Sequence, residues 1–300
     1  MKSKKILFFL MLLSMAIWGL SWTAAKVLSG YGEASSITYI RFLLVPLTLF
    51  PILKIAKIPI SISKKGIPSA LLAGILMAGY TILFFNGLRV GLAGEGGVLV
   101  AVTIPVFAYL VDLVINKKLP NKAAVIGLLI GAMAGYILLD VWSNYQNIFA
   151  SGNTLFLIAA LVYAVLSKVI SKSAKHGSPI SFNFWLHIIA LIGLTFVVDF
   201  GELKRLLLLR DYYFWLNMLY FGIINSSIAT TTYFYATTKL GAEKASSFIF
   251  IVPSAAVFFS WLIMGEPVEM KTIIGGIIGL LAVFIINEKL KLFKSKKLPD

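Results

Sequence analysis

Three ionisable side chains lie furthest inside long apolar runs: Arg41, Asp112 and His187. A charge in such a run is costly to desolvate, which makes each a functional candidate by default. Arg41 stands near the start of its run, where its guanidinium can hold an anionic group or snorkel outward along its stem. Asp112 is close enough in sequence to Lys117 or Lys118 for a plain ion pair. His187 faces either lipid or the interior of a helix bundle. There is no cysteine and only one further histidine, His176. Disulfides, thiol redox chemistry and cysteine metal sites are therefore excluded, and a zinc site would need carboxylates that are also scarce. No nucleophile and base stand together on one stretch, which argues against an intramembrane enzyme.

Polar and aromatic residues at mid-run form a second set. Trp18, Trp22, Tyr80 and Tyr163 fall at or near the middle of their runs. Tryptophan usually marks the membrane interface. At mid-depth its broad face and polar tip suit a cavity wall, or else ordinary helix packing. Asn225, Ser226, Ser227 and Thr230 to Thr232 make one run the most polar, and Asn86 lies toward the end of another. Such groups can bond a substrate, a neighbouring helix or their own backbone. Ser226 and Thr230, four apart, are expected to share a helix face. Pro105 and Pro253 each interrupt a helical ladder at mid-run, and the freed carbonyl needs another partner in lipid. The kink shapes a cavity or serves packing alone. The candidate substrate-binding set is Trp18, Trp22, Tyr80, Asn86, Pro105, Tyr163, Asn225, Ser226, Thr230 and Pro253. No catalytic residue, metal site or cofactor is expected.

The elements that must position these residues follow from composition. Of 300 residues 59% are hydrophobic and 13% charged, against about 25% charged in a soluble domain; mean hydropathy is +0.93. A bilayer-spanning helix needs about 20 mostly apolar residues. Ten candidates emerge: 6–28, 36–56, 67–88, 95–115, 123–141, 154–171, 181–199, 213–237, 245–264 and 272–287. Brief connections rich in glycine, proline and serine separate them, the longest at about 54–66, 142–153 and 200–212. The expectation is an all-α polytopic membrane protein. Lys2, Lys4 and Lys5 precede an apolar run too long for a cleaved signal peptide, so it reads as an uncleaved first helix. The net charge of +15 is spread in clusters between runs. It therefore fits a lipid-bilayer partner and not a nucleic acid.

Those clusters also orient the chain. With the N-terminus cytoplasmic, 20 of the 27 lysines and arginines face the cytoplasm and six the outside, with Arg41 inside a span. The bias holds loop after loop only with an even number of spans, and it puts both termini in the cytoplasm.

The stretch 95–139 recurs at 243–287. A shift of 148 positions aligns Glu95 with Glu243, Pro105 with Pro253, Gly127 with Gly275 and Gly131 with Gly279. Two glutamates starting helices are stabilised there by the helix dipole. Glycines four apart let helix backbones approach closely, within one chain or across a homodimer seam. Recurrence points to two copies of one unit, taken as residues 1–145 and 146–300. Five helices per copy make the second enter the membrane from the opposite side. Such inverted repeats characterise secondary transporters, with the site near the midplane between them.

The chain resembles the EamA-type family of the drug/metabolite transporter superfamily over about residues 6–287. The resemblance rests on Trp18-Gly19-Leu20-Ser21-Trp22 followed by Lys26, on Arg41 early in helix 2, on Glu95 with Pro105 and Glu243 with Pro253, and on Gly265-Glu266-Pro267. Where helix 4 of the family often closes on Gly-Glu, this chain has Asn116-Lys117-Lys118. The resemblance implies ten helices around a central cavity lined by helices 1, 3, 4, 6, 8 and 9. It also implies outward transport of small organic solutes such as amino acids or related metabolites. No phosphate-cradling Gly-x-x-x-x-Gly-Lys-Ser/Thr run exists for an ATP-driven pump. The expected protein is an alternating-access exporter in the cytoplasmic (inner) membrane with a small-molecule partner, against the alternatives of an intramembrane enzyme or a channel.

Overall fold

A computed structural model describes residues 2–90, 93–117, 119–138, 141–143, 152–264 and 270–286. The described residues are helical throughout their regular elements. Helices α1 (Lys2–Ser29), α2 (Ala34–Ile55), α3 (Ile67–Val90), α4 (Ala93–Asn116) and α5 (Lys122–Leu138) come first. Then follow α6 (Asn153–Ser173), α7 (Pro179–Leu194) and a short α8 (Phe200–Leu207). Helix α9 (Tyr212–Leu219) runs through a π-helical stretch (Tyr220–Ala229) into α10 (Thr230–Leu240). After Gly241, whose φ of +88° turns the chain, α11 (Ala242–Ser246) passes through a 3₁₀ stretch (Ser247–Ile251) into α12 (Val252–Met264). Helix α13 is Met270–Ile286. The Gly265-Glu266-Pro267 motif and the basic tail lie outside the described residues.

Among the described residues six helical runs are long and apolar enough to cross a bilayer, and three shorter helices are also apolar. Large apolar side chains such as Phe9, Ile75, Val114, Leu129 and Ile263 stand exposed on the outer faces. A water-soluble surface would not carry so many; these faces belong against lipid. Phe42, Phe85, Phe156, Phe182, Phe234 and Phe248 fill the interior.

The structure departs from the expectation at the end of the seventh span. The span expected to reach 199 ends at Leu194. The following connection contains α8, capped by Asp199, whose carboxylate accepts from the N–H groups of Gly201 and Glu202. Leu203 and Leu206 of α8 are buried while Lys204 and Arg205 are exposed. An amphipathic single turn or two is too short to register as a hydrophobic run.

The packing pairs repeat. Helix α3 packs on α6 and α7, and the π stretch with its flanking helices packs on α1 and α2. Helix α4 packs on α6, and α12 on α1; α2 meets α7, and α5 meets α13. Exchanging the first five helices for their successors in the second half maps this set onto itself. The close contacts obey the same exchange. A Cβ on Gly74 would stand 2.6 Å from Cγ2 of Ile189, and one on Gly222 would stand 2.7 Å from Cδ1 of Leu44. At one end Ser36 Oγ donates to Glu202 in the α7–α9 connection (2.9 Å). In the other half Ser181 Oγ donates to the Pro59 carbonyl in the α2–α3 connection (2.7 Å). The glycine stripes are used inside the chain: Gly127 abuts Ile286, and Gly131 and Gly279 both abut Phe250.

Candidate functional site

Side chains three to five residues apart on several helices converge on one cavity of about 600 Å³, counting its open mouth. Helix α1 supplies Trp18, Ser21 and Trp22; α3 supplies Met77, Tyr80 and Phe84. These spacings put each trio on one helix face. Arg41 of α2 and Tyr163 of α6 enter from the sides. Ala101 and Ile104 of α4 face the cavity, as do Ile249 and Val252 of the second half. These two pairs are related by the 148-residue shift, so equivalent positions of both halves line the same cavity, on segments that pack against one another.

The prolines explain that correspondence. Each removes the donor for the carbonyl four residues earlier, and those residues are Ala101 and Ile249. In the second half the chain answers by tightening: the Val252 N–H donates to the Ile249 carbonyl at the end of the 3₁₀ stretch. Pro105 and Pro253 themselves are buried just behind the lining residues Ile104 and Val252.

The π stretch sets the polar wall. Hydroxyls of Ser226, Ser227 and Thr230 donate to carbonyls five residues earlier, at 2.8, 3.1 and 3.0 Å. Widening the turn changes which residues share a face. Asn225 and Thr230, five apart, both line the cavity, whereas the α-helical spacing had paired Ser226 with Thr230. Ser226 lies behind the wall, fully buried. Its Oγ accepts from Arg41 Nε (2.8 Å) and its carbonyl accepts from Asn183 Nδ2 (3.0 Å).

The pattern of the EamA-like transporter family matches this chain twice, over residues 5–139 and 150–288. The chain belongs to the EamA-like transporter family. It is similar to the "Uncharacterized transporter YoaV" of Bacillus subtilis, at 26% identity over 90% of this chain and 92% of that one. It is also similar to a "Probable terminal-alkyne amino-acid exporter" of Streptantibioticus cattleyicolor, at 23% identity over 93% and 92% of the two chains. A protein of known crystal structure shares the fold, with a TM-score of 0.75 at 15% identity, covering 98% of this chain and 99% of that one. The protein is thus a multi-span membrane protein of a transporter family.

In this EamA-like protein six of the ten sequence candidates line the cavity: Trp18, Trp22, Tyr80, Tyr163, Asn225 and Thr230. Pro105, Pro253 and Ser226 stand behind the lining. Asn86 is half-buried farther along α3 and does not contribute to it. Aromatic rings form a continuous patch: Tyr80 and Tyr163 centroids are 4.8 Å apart, Trp22 and Phe84 4.8 Å, and Trp18 and Tyr163 5.7 Å. Tyr233, which the sequence did not single out, lies 5.0 Å from Trp18 and is bonded to Ser167 (3.0 Å). Its place in an ordinary Thr-Thr-Thr-Tyr-Phe-Tyr run gave no signal. His187 is buried away from the cavity; its Nδ1 donates to the Asn183 carbonyl (2.9 Å), and its ring meets Phe42 edge-on at 4.7 Å.

A buried ion cluster lies at the far end of these helices from Arg41. Lys168 of α6 donates to Asp112 of α4 and to Glu243 of α11 (3.0 Å). Asp112 was expected to pair with Lys117 or Lys118. It turns instead toward the next helix in space, because its position, four residues before the last residue of α4, faces α6. Glu243, read as a mere helix-start carboxylate, is the third member. The side chain of its counterpart Glu95 lies outside the described residues.

Proposed function

We propose that this protein is a secondary carrier of the cytoplasmic membrane that exports a small organic metabolite, such as an amino acid or a derivative, by alternating access. Ten spans form two five-helix units, residues 1–145 and 146–300, inverted relative to one another with both termini cytoplasmic. The observation that carries the reading is the pair of cavity-lining segments, Ala101 with Ile104 and Ile249 with Val252, contributed by equivalent positions of the two halves. A site between two such halves can be exposed to either side when one half rocks against the other.

The helix contacts support this reading, since they survive exchange of the halves, and so does the double match to one family pattern. The name of the Streptantibioticus relative supports an amino-acid-like cargo moving outward. Trp18, Trp22, Tyr80 and Tyr163 would sandwich the apolar part of the cargo, and Asn225 and Thr230 would bond its polar part. Ser226 would act through Arg41, and Pro105 and Pro253 would fix the bends that let Ala101 and Ile249 reach the cargo.

Reconstitution into liposomes tests the proposal. Labelled amino acids and related metabolites are screened for counterflow, with and without a proton gradient. Saturable counterflow of any solute is the expected result. An unsaturable ion current in its place would mark a channel.

A further inference from the structure

Arg41 is only 5% exposed and lines the cavity. Its Nε is committed to Ser226 Oγ at 2.8 Å, and its guanidinium carbon lies 4.1 Å from the Phe221 ring centroid and 5.5 Å from that of Phe42. Among the described residues no carboxylate lies within ion-pair distance of it; the ion pairs found there join Lys168 with Asp112 and Glu243, and Arg205 with Glu202. A buried cation without a counterion is unfavourable, and aromatic faces offset it only in part. The unmet demand sits beside further unmet groups on cavity residues: Trp18 Nε1, Tyr163 OH and Asn225 Oδ1 are buried with no hydrogen-bond partner.

From this juxtaposition we infer that the cavity binds a small carboxylate-bearing molecule whose carboxylate docks on the two terminal nitrogens of Arg41, with its apolar body against Trp18, Tyr80 and Tyr163. The inference rests on the carrier reading and narrows its cargo. With Nε held by Ser226, the end-on pair of N–H groups remains, the geometry that meets a carboxylate bidentately. Among the described residues Arg41 is the one cation lining the cavity. A single charge matches a carboxylate; a phosphate dianion would keep an unneutralised charge among aromatic walls. A cationic cargo would meet Arg41 with no acid beside it. Asn225 Oδ1 is an open acceptor, so a carboxylate that also carries an amino group finds a second partner there.

The test uses purified full-length protein in detergent and a panel of similar shape: phenylacetate, L-phenylalanine, phenethylamine, 2-phenylethanol and inorganic phosphate. Binding is read from thermal stabilisation and tryptophan fluorescence. Phenylacetate or L-phenylalanine, or both, are expected to bind, and the amine, the alcohol and phosphate are not. Arg41→Gln should weaken carboxylate binding by roughly 10- to 100-fold, the size of a lost charge-assisted hydrogen bond. Arg41→Lys should recover part of it. Equal binding of phenethylamine or 2-phenylethanol, or no binding by either carboxylate, overturns the inference on the unaltered protein alone, whatever the variants do. Counterflow in liposomes separates the two readings. Carboxylates that bind without counterflow would leave the Arg41 site standing and remove the carrier. Counterflow of amines or alcohols but not carboxylates would do the reverse.

Discussion

Gly74 and Gly222, 148 residues apart, make the same contact in opposite halves: Gly74 of α3 lies against Ile189 of α7, and Gly222 of the π stretch lies against Leu44 of α2. A side chain at either place would wedge the two helices apart. The surroundings differ in one respect. At Gly74 the carbonyl of Leu186 stands 2.9 Å from an added Cβ, whereas at Gly222 the three nearest atoms all belong to the Leu44 side chain, its Cβ at 2.8 Å among them. A new rotamer moves Cδ1 of Leu44 but not its Cβ, which the backbone fixes, so both sites need the helices to part. Gly74→Ala and Gly222→Ala should each destabilise by about 1–3 kcal/mol, the usual size of overpacking. Thermal unfolding in detergent reads both; an unchanged midpoint for either would contradict the packing described.

The lysine bias and the exchange of contacts make a topology prediction. The chain has no cysteine, so single cysteines report cleanly. Lys57→Cys and Lys175→Cys should react with an impermeant maleimide only from the cytoplasmic side. Arg210→Cys and Gly30→Cys should react only from outside. All four positions are exposed, apart from any membrane. Labelling of Lys57 and Lys175 from opposite faces would break the even count on which the proposed inverted arrangement depends.

Much of this was legible in the sequence because it depends on hydrophobic runs and backbone breakers. Trp18, Trp22, Tyr80 and Tyr163 announced themselves by standing at mid-run, where such residues are unusual, and the proline pair marked the segments that carry Ala101 with Ile104 and Ile249 with Val252. Three features were hidden. Residue spacing assumes a regular α-helix, so the π stretch displaced Ser226 from the face expected for it and left Thr230 beside Asn225 on the cavity wall. The Lys168 cluster joins residues 56 and 75 positions apart, and only the way α4, α6 and α11 converge brings them together. Helix α8 is eight residues long, shorter than the window in which an apolar stripe becomes visible.

Tyr31 and Asp211 tie the α1–α2 turn to the start of α9, at 2.8 Å. The Tyr31 hydroxyl, followed by the N–H groups of Phe214 and Tyr213, holds the Asp211 carboxyl below the usual range; the same bond, led by Asp211, pushes the Tyr31 hydroxyl up. The carboxylate's contribution to stability is complete above the ordinary aspartate pKa of about 4 and lost as pH falls through the depressed value. The tyrosine's contribution is complete below the ordinary tyrosine pKa of about 10 and lost as pH rises through the raised value. Asp211→Asn should bring the Tyr31 titration down, read as the ultraviolet difference between that protein and its Tyr31→Phe derivative. An unmoved midpoint would mean that the bond is not made in solution.

The Lys168 cluster makes the last prediction. It binds α4, α6 and α11 at the end of the bundle opposite Arg41, so a carrier that opens there must pull at least one carboxylate off the lysine. Removing one partner of a buried ion pair costs about 3–5 kcal/mol in the state that contains it. If only the state closed at this end contains it, Lys168→Met should shift the population toward the open state by tenfold or more, since each ~1.4 kcal/mol is a factor of ten. Thr237, fully buried in α10, which packs on α11, supplies the reporter. Placed on the Lys168→Met background, Thr237→Cys should react with a maleimide from the cytoplasmic side several times faster than on the wild-type background. Lys168→Arg, which keeps a cation between the two carboxylates, should restore slow labelling. Equal labelling in all three backgrounds would mean that the cluster persists in both states. It would then be a fixed strut between the two halves, and the opening would have to be sought at other contacts of α4 with α6.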